Sequence, residues 1–146
     1  MLALVLGALL ATGLSTVSSA TATSAHHSDY FGDSSRSVAR HIGCKRFHRP
    51  QDSGGRGTYH LDSGDCWLKG KLVSVVTFRG AGQQREWNAA ASVILPTDHW
   101  WANGKGAVVS AESGSKRAAR AGAIALPGKL TRGSSVFTRT GSSAAS

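Results

Sequence analysis

Residues 72–78 read LVSVVTF, and this stretch decides the fold class. Val and Thr are β-branched and favour extended backbone, so the segment predicts a β-strand. Working backwards, residues 69–71 (KGK) predict a turn, 66–68 a returning strand, 62–65 (DSGD) a further turn, and 58–61 another strand. Three short strands joined by tight turns predict an antiparallel meander.

Helical periodicity and turn residues predict the remaining elements around this meander. A short helix begins at Ser34 or Ser35, carries an apolar stripe and ends at Gly43. Other segments are a loop at 45–57, a helix at 83–94, two strands joined by Asn103-Gly104, and a helix at about 113–126. The order α-β-β-β-α-β-β-α predicts an α+β fold, with three helices on one face of an antiparallel sheet of about five strands.

The first residues resemble an export signal. The apolar run at 2–14 is about 13 residues long, short of the ~20 that a membrane-spanning helix needs, and Ala20-Thr21-Ala22 follows it. No Lys or Arg precedes this run, which departs from the usual signal; a buried N-terminal helix is the alternative. The sequence predicts a signal peptide at 1–22, a flexible linker at 23–33, a domain at 34–130 and a disordered tail at 131–146. The product is expected to be extracellular or associated with the cell wall, without a membrane span.

Two cysteines, Cys44 and Cys66, predict one disulfide in an exported chain. Redox and metal roles are weaker interpretations, because the pair forms no Cys-x-x-Cys motif and neither residue has a second metal ligand at a recognised spacing.

The net charge is +9 and the isoelectric point about 10.4, which predicts attraction to an anionic polymer or cell-surface component. A basic surface that only keeps the protein in solution is the alternative. The candidate anion-binding residues lie in one predicted loop beside Phe47 and His48: Lys45, Arg46, Arg49 and Arg56. Lys116, Arg117 and Arg120 lie on the polar side of the last predicted helix.

Adjacent tryptophans, Trp100 and Trp101, are candidates for a surface contact. Neighbouring residues of a strand point to opposite faces of a sheet, so one indole can join the core and the other lies outside it. Two interpretations of the outer ring remain: it contacts a ligand, or the C-terminal tail covers it.

Known catalytic and metal-binding patterns are missing from the sequence. Its six histidines form neither His-x-His nor His-Glu-x-x-His, no serine lies in Gly-x-Ser-x-Gly, and residues 80–82 (GAG) lack the rest of a phosphate-binding loop. We therefore expect a non-enzymatic protein without cofactor or metal. The alternatives are an extracellular enzyme with a dispersed site and a nucleic-acid binder, which export disfavours and which needs a continuous basic stripe.

The two cysteine contexts and the strand between them resemble small exported actinobacterial proteins of unknown function. The shared pattern is I-G-C, then S-G-x-C, a strand that ends in T-F, and R-D-x-W on a helix. The first three motifs match 42–44, 63–66 and 77–78, residues 85–87 (REW) resemble the last one without its x position, and the resemblance covers about 38–126. Glu86 replaces the usual Asp, and the lipobox of some such proteins is missing. The resemblance implies export and this fold, but no activity.

Overall fold

The computed structural model describes residues 29–49, 59–111 and 113–135. The predicted signal peptide, Arg56 and the end of the predicted tail lie outside these ranges. The elements are, in chain order, α1 (Ser35–His41), β1 (Lys45–His48), β2 (Asp62–Leu68), β3 (Lys71–Thr77), α2 (Ala81–Ile94), β4 (Trp100–Asn103), β5 (Ala107–Ala111), α3 (Lys116–Ala125) and β6 (Lys129–Arg132).

The six strands form one sheet in the order β1-β2-β3-β5-β4-β6, and every neighbouring pair is antiparallel. The segment LVSVVTF supplies most of β3, which lies in the middle of the sheet. The predicted α+β fold class is confirmed, with six strands where about five were expected. The strand predicted at 58–61 is not formed by the described residues 59–61, and two edge strands, β1 and β6, were not predicted. Each is four residues long, and β6 has charged ends, so it carries little strand signal.

Helices cover both faces of the sheet. Val73 and Val75 pack with residues of α1 and α3, whereas Val76 packs with Trp101 and with Ala91 of α2 on the opposite face. The expected placement of all helices on one face therefore does not hold for α2. The reason is that β3 and β5 present apolar side chains on both faces, and both faces need cover.

The predicted turn at 62–65 is instead the first half of β2, which runs without interruption to Leu68. Part of the predicted loop at 45–57 is also extended, because Lys45–His48 pairs with β2 as edge strand β1. Gly64 is needed there for space rather than for a turn, since a Cβ on it would collide with the ring of Phe47. Long-range packing overrides the turn-forming preference of Asp, Ser and Gly.

The folded region extends beyond the predicted boundaries of 34 and 130. Tyr30, in the predicted linker, is buried, and its backbone N–H donates to the carbonyl of Lys105 at 2.9 Å. In the predicted tail, Thr131 and Arg132 belong to β6, and the N–H of Ser134 donates to the carbonyl of Ser92 at 2.7 Å. The predictions of a linker and a tail were based on polar composition, which does not show whether the backbone forms hydrogen bonds with the rest of the domain.

Cys44 and Cys66 form the predicted disulfide, with Cα atoms 5.7 Å apart. The bridge connects Cys44, three residues after the end of α1, to Cys66 in β2. Both cysteines belong to the main hydrophobic core. Among the helices of the described residues, none has the length and apolar character that a membrane span requires.

Candidate anion-binding face

Three cations from α1 and β1 surround one shallow depression. Arg36 and Arg40 lie one helical turn apart on α1, and Lys45 begins β1 just after the disulfide. With Gly43, Cys44 and Phe47 they line a depression of about 190 Å³. In the described part of the chain, none of the three cations forms an ion pair with a carboxylate. We call this surface, formed by Arg36, Arg40, Lys45 and Phe47, the cationic face.

Phe47 orients two guanidinium groups at this surface. The Cζ of Arg36 lies 4.8 Å from the centroid of the Phe47 ring, and that of Arg49 lies 5.9 Å from it. The ring itself is held against Gly64 of β2. Stacking on an aromatic face restricts a long side chain while its N–H donors stay available to a ligand. Arg36 is therefore partly ordered before any anion arrives.

Arg49 has a structural partner, unlike the three cations of the cationic face. Its Nη2 and Nε donate to the carboxylate of Asp62 at 2.8 and 3.3 Å, and the backbone N–H and Oγ of Ser35 donate to the same carboxylate at 2.9 and 2.8 Å. The network joins α1, the end of β1 and β2. Arg49 thus serves mainly to hold these elements together.

The pKa of Asp62 reflects this network. Burial alone would raise it, but the hydrogen bonds from Arg49 and Ser35, and the positive charge of Arg49, bring the pKa of the carboxyl below its usual range. The same pairing raises the pKa of Arg49. Asp62 is therefore ionised at neutral pH, and both its oxygens accept hydrogen bonds from the protein.

The structure separates the predicted anion-binding residues. Lys45 lines the depression, Arg49 is paired, and Arg56 lies outside the described residues. Arg46 has a positive φ of 53° and lies at an irregularity in the pairing of β1 with β2. Sequence reasoning missed Arg36 and Arg40, although their spacing of four residues on a predicted helix placed them on one helical face.

The paired tryptophans lie on opposite faces of β4, as predicted. Trp101 is fully buried, and its Nε1 donates to Oδ1 of Asn88 on α2 at 3.0 Å. Trp100 is half-buried, with Nζ of Lys116 4.4 Å from its ring centroid and Cζ of Arg132 5.7 Å from it. Cations from α3 and β6 therefore cover the ring that was a candidate for surface contact.

Groups with catalytic chemistry are scattered over the described residues. Nε2 of His99 lies 3.0 Å from Oγ of Ser110, and burial lowers the pKa of this histidine against an opposing effect of Asp98. A larger groove of about 370 Å³ is mainly apolar, lined by Tyr59, His60, Trp87, Ala90, Ala91, Ile94 and Leu95. The His99–Ser110 pair does not line this groove. Among the described residues, no three His, Cys, Asp or Glu side chains are grouped to hold a metal ion.

Compared with models of protein families, with curated proteins and with solved structures, the chain shows no match. The candidate site therefore rests on the geometry of this molecule.

Proposed function

We propose that this protein binds an anionic polymer or anionic cell-surface component outside the cell, without catalysing a reaction. The observation that carries the proposal is that Arg36, Arg40 and Lys45 line one depression, with no carboxylate partner in the described part of the chain. Neighbouring cations with directional N–H donors recognise phosphate and carboxylate groups.

The overall charge supports the same partner class. A net charge of +9 raises the local concentration of polyanions around the whole molecule, and the cationic face then offers a place where several anionic groups can be bound together. The disulfide in so small a domain agrees with export, because such bonds persist in oxidising compartments.

The test compares two variants that lose the same number of charges. The triple variant Arg36→Gln, Arg40→Gln, Lys45→Gln should elute from a phosphate-bearing cation-exchange matrix at clearly lower salt than the control triple Arg85→Gln, Arg117→Gln, Arg120→Gln. All six side chains are exposed, and the control residues lie on α2 and α3, away from the cationic face. Both variants lose three positive charges, but only the first variant loses the N–H donors that line the depression.

Thermal unfolding of both triples verifies that they remain folded. Elution of the two variants at the same salt concentration would show that retention depends only on the total charge of the protein. The cationic face would then carry no specific binding site.

A further inference from the structure

The face of the sheet that carries α2 is covered by that helix over only part of its area. Val76, Trp101 and Val108 lie under α2 and are buried. On the same face, towards the other end of the strands, Asp65, Leu72 and Ser74 are partly exposed. This second part, which we call the open half of the sheet, also carries Trp67 and Ser110, since residues 65 and 67 share a face of β2 and residues 108 and 110 share a face of β5.

A row of polar side chains crosses the open half from strand to strand. Asp65 is the partner of Ser74 in the β2–β3 register, and Ser74 is the partner of Ser110 in the β3–β5 register. Oγ of Ser74 donates to Oδ1 of Asp65 at 2.6 Å, and Nε2 of His99 lies 3.0 Å from Oγ of Ser110. These contacts fix the side chains in place, and among the described residues Oδ2 of Asp65 stays available as an acceptor.

An exposed indole lies beside this row. Trp67 is two residues from Asp65 on β2, pairs with Leu72 on β3, and remains 41% exposed. Aromatic rings of this size are usually buried, because covering them contributes strongly to stability. An exposed indole next to oriented polar side chains offers a ligand a flat apolar surface and, beside it, hydrogen-bond donors and acceptors.

We infer that the open half of the sheet binds an uncharged saccharide chain, with Trp67 stacking on the C–H face of one sugar ring. Asp65, Ser74 and the His99–Ser110 pair would then exchange hydrogen bonds with sugar hydroxyls, which both donate and accept. Strands lie ~4.8 Å apart, so the row from Asp65 to Ser110 spans about 10 Å, close to the length of two sugar rings.

The charges within the polar row fit a neutral occupant better than an anionic one. The row contains the carboxyl group of Asp65, and burial lowers the pKa of His99, so that the imidazole is uncharged at neutral pH. A polyanion would meet the carboxylate of Asp65 within this row, whereas a cation, Lys45, lies at its edge as the register partner of Trp67. The polar row and the arginines of the cationic face therefore favour different ligands, although Lys45 borders both surfaces, and this inference goes beyond the proposed function.

Titration with cellohexaose and chitohexaose, followed by tryptophan fluorescence and calorimetry, tests the inference. The wild-type protein should bind at least one of them. Trp67→Ala should weaken that binding about tenfold through loss of stacking, and Asp65→Asn should weaken it several-fold. Trp67→Phe keeps a stacking ring and should remain within about threefold of the wild type.

The control is Tyr59→Ala, which removes another exposed aromatic ring that lies in the groove beside α2. It should bind the saccharide like the wild type, as should the double variant Arg36→Gln, Arg40→Gln, which keeps Lys45, the register partner of Trp67. Absence of binding to both probes at millimolar concentration, or an equal loss in Tyr59→Ala and Trp67→Ala, would overturn the inference. Neither result bears on binding of polyanions by the cationic face.

Discussion

Replacement of both Cys44 and Cys66 by alanine should lower the free energy of unfolding by at least about 3 kcal/mol. The bridge joins residues 22 apart in sequence. In the loop-entropy account, closing a loop of that length constrains the unfolded chain by about 3.4 kcal/mol. Both cysteines also belong to the main core, so truncation of their buried sulfur atoms adds a packing cost. The free energy of unfolding of a small domain is about 5 to 15 kcal/mol in total, so this loss is a large fraction of it.

Denaturant unfolding of the wild type with and without reductant separates the two contributions, because reduction opens the loop and keeps both sulfur atoms. The double variant should be less stable than the reduced wild type. A loss below about 1 kcal/mol would contradict the assigned role of the bridge.

Substitution of Asp62 by asparagine should cost about 2 to 3 kcal/mol at neutral pH. The carboxylate accepts hydrogen bonds from Ser35 and Arg49, and the amide of asparagine would place a donor against one of these donors. Arg49 is 41% exposed, so solvent screening keeps the cost below that of breaking a fully buried ion pair.

The same carboxylate predicts the pH dependence. Its pKa is lower in the folded protein than the usual aspartate value, so its contribution to stability is complete above about pH 4, the value of an unfolded chain. The contribution is lost as the pH falls through the folded-state pKa. The stability difference between wild type and Asp62→Asn should therefore shrink in acid.

Urea unfolding at several pH values measures that difference, and Asp98→Asn serves as the control because Asp98 is exposed. A difference that stays constant or grows as the solution becomes more acidic would show that the stabilisation by this network does not depend on the negative charge of Asp62.

Local patterns were sufficient for the elements that are stabilised locally. The strand at 72–78, the second helix, the hairpin around Asn103 and the disulfide follow from β-branched side chains, helical periodicity, turn residues and paired cysteines. The predicted turn at 62–65 failed for the opposite reason. Asp62 is buried in a strand because Ser35, 27 residues earlier, and Arg49 satisfy its carboxylate. A distant partner of this kind leaves no local signal.

The candidate site was predictable in part. Lys45 and Phe47 were recognised, and the spacing of Arg36 and Arg40 was visible in the sequence. Their convergence on one depression depends on the disulfide, which places the end of α1 beside β2, and β2 in turn pairs with β1. The interaction of Arg49 with Asp62 could not be foreseen while Asp62 was assigned to a turn.

We propose above that Arg36, Arg40 and Lys45 form a specific polyanion-binding surface. A ¹H–¹⁵N NMR titration of the wild-type protein with inorganic polyphosphate tests it most directly, because amide shifts report each position separately. The largest changes, saturating together, should fall on residues 36–47, around the depression between α1 and β1. Shift changes spread evenly over these residues and the exposed basic residues of α3, or no saturable change at all, would contradict the claim.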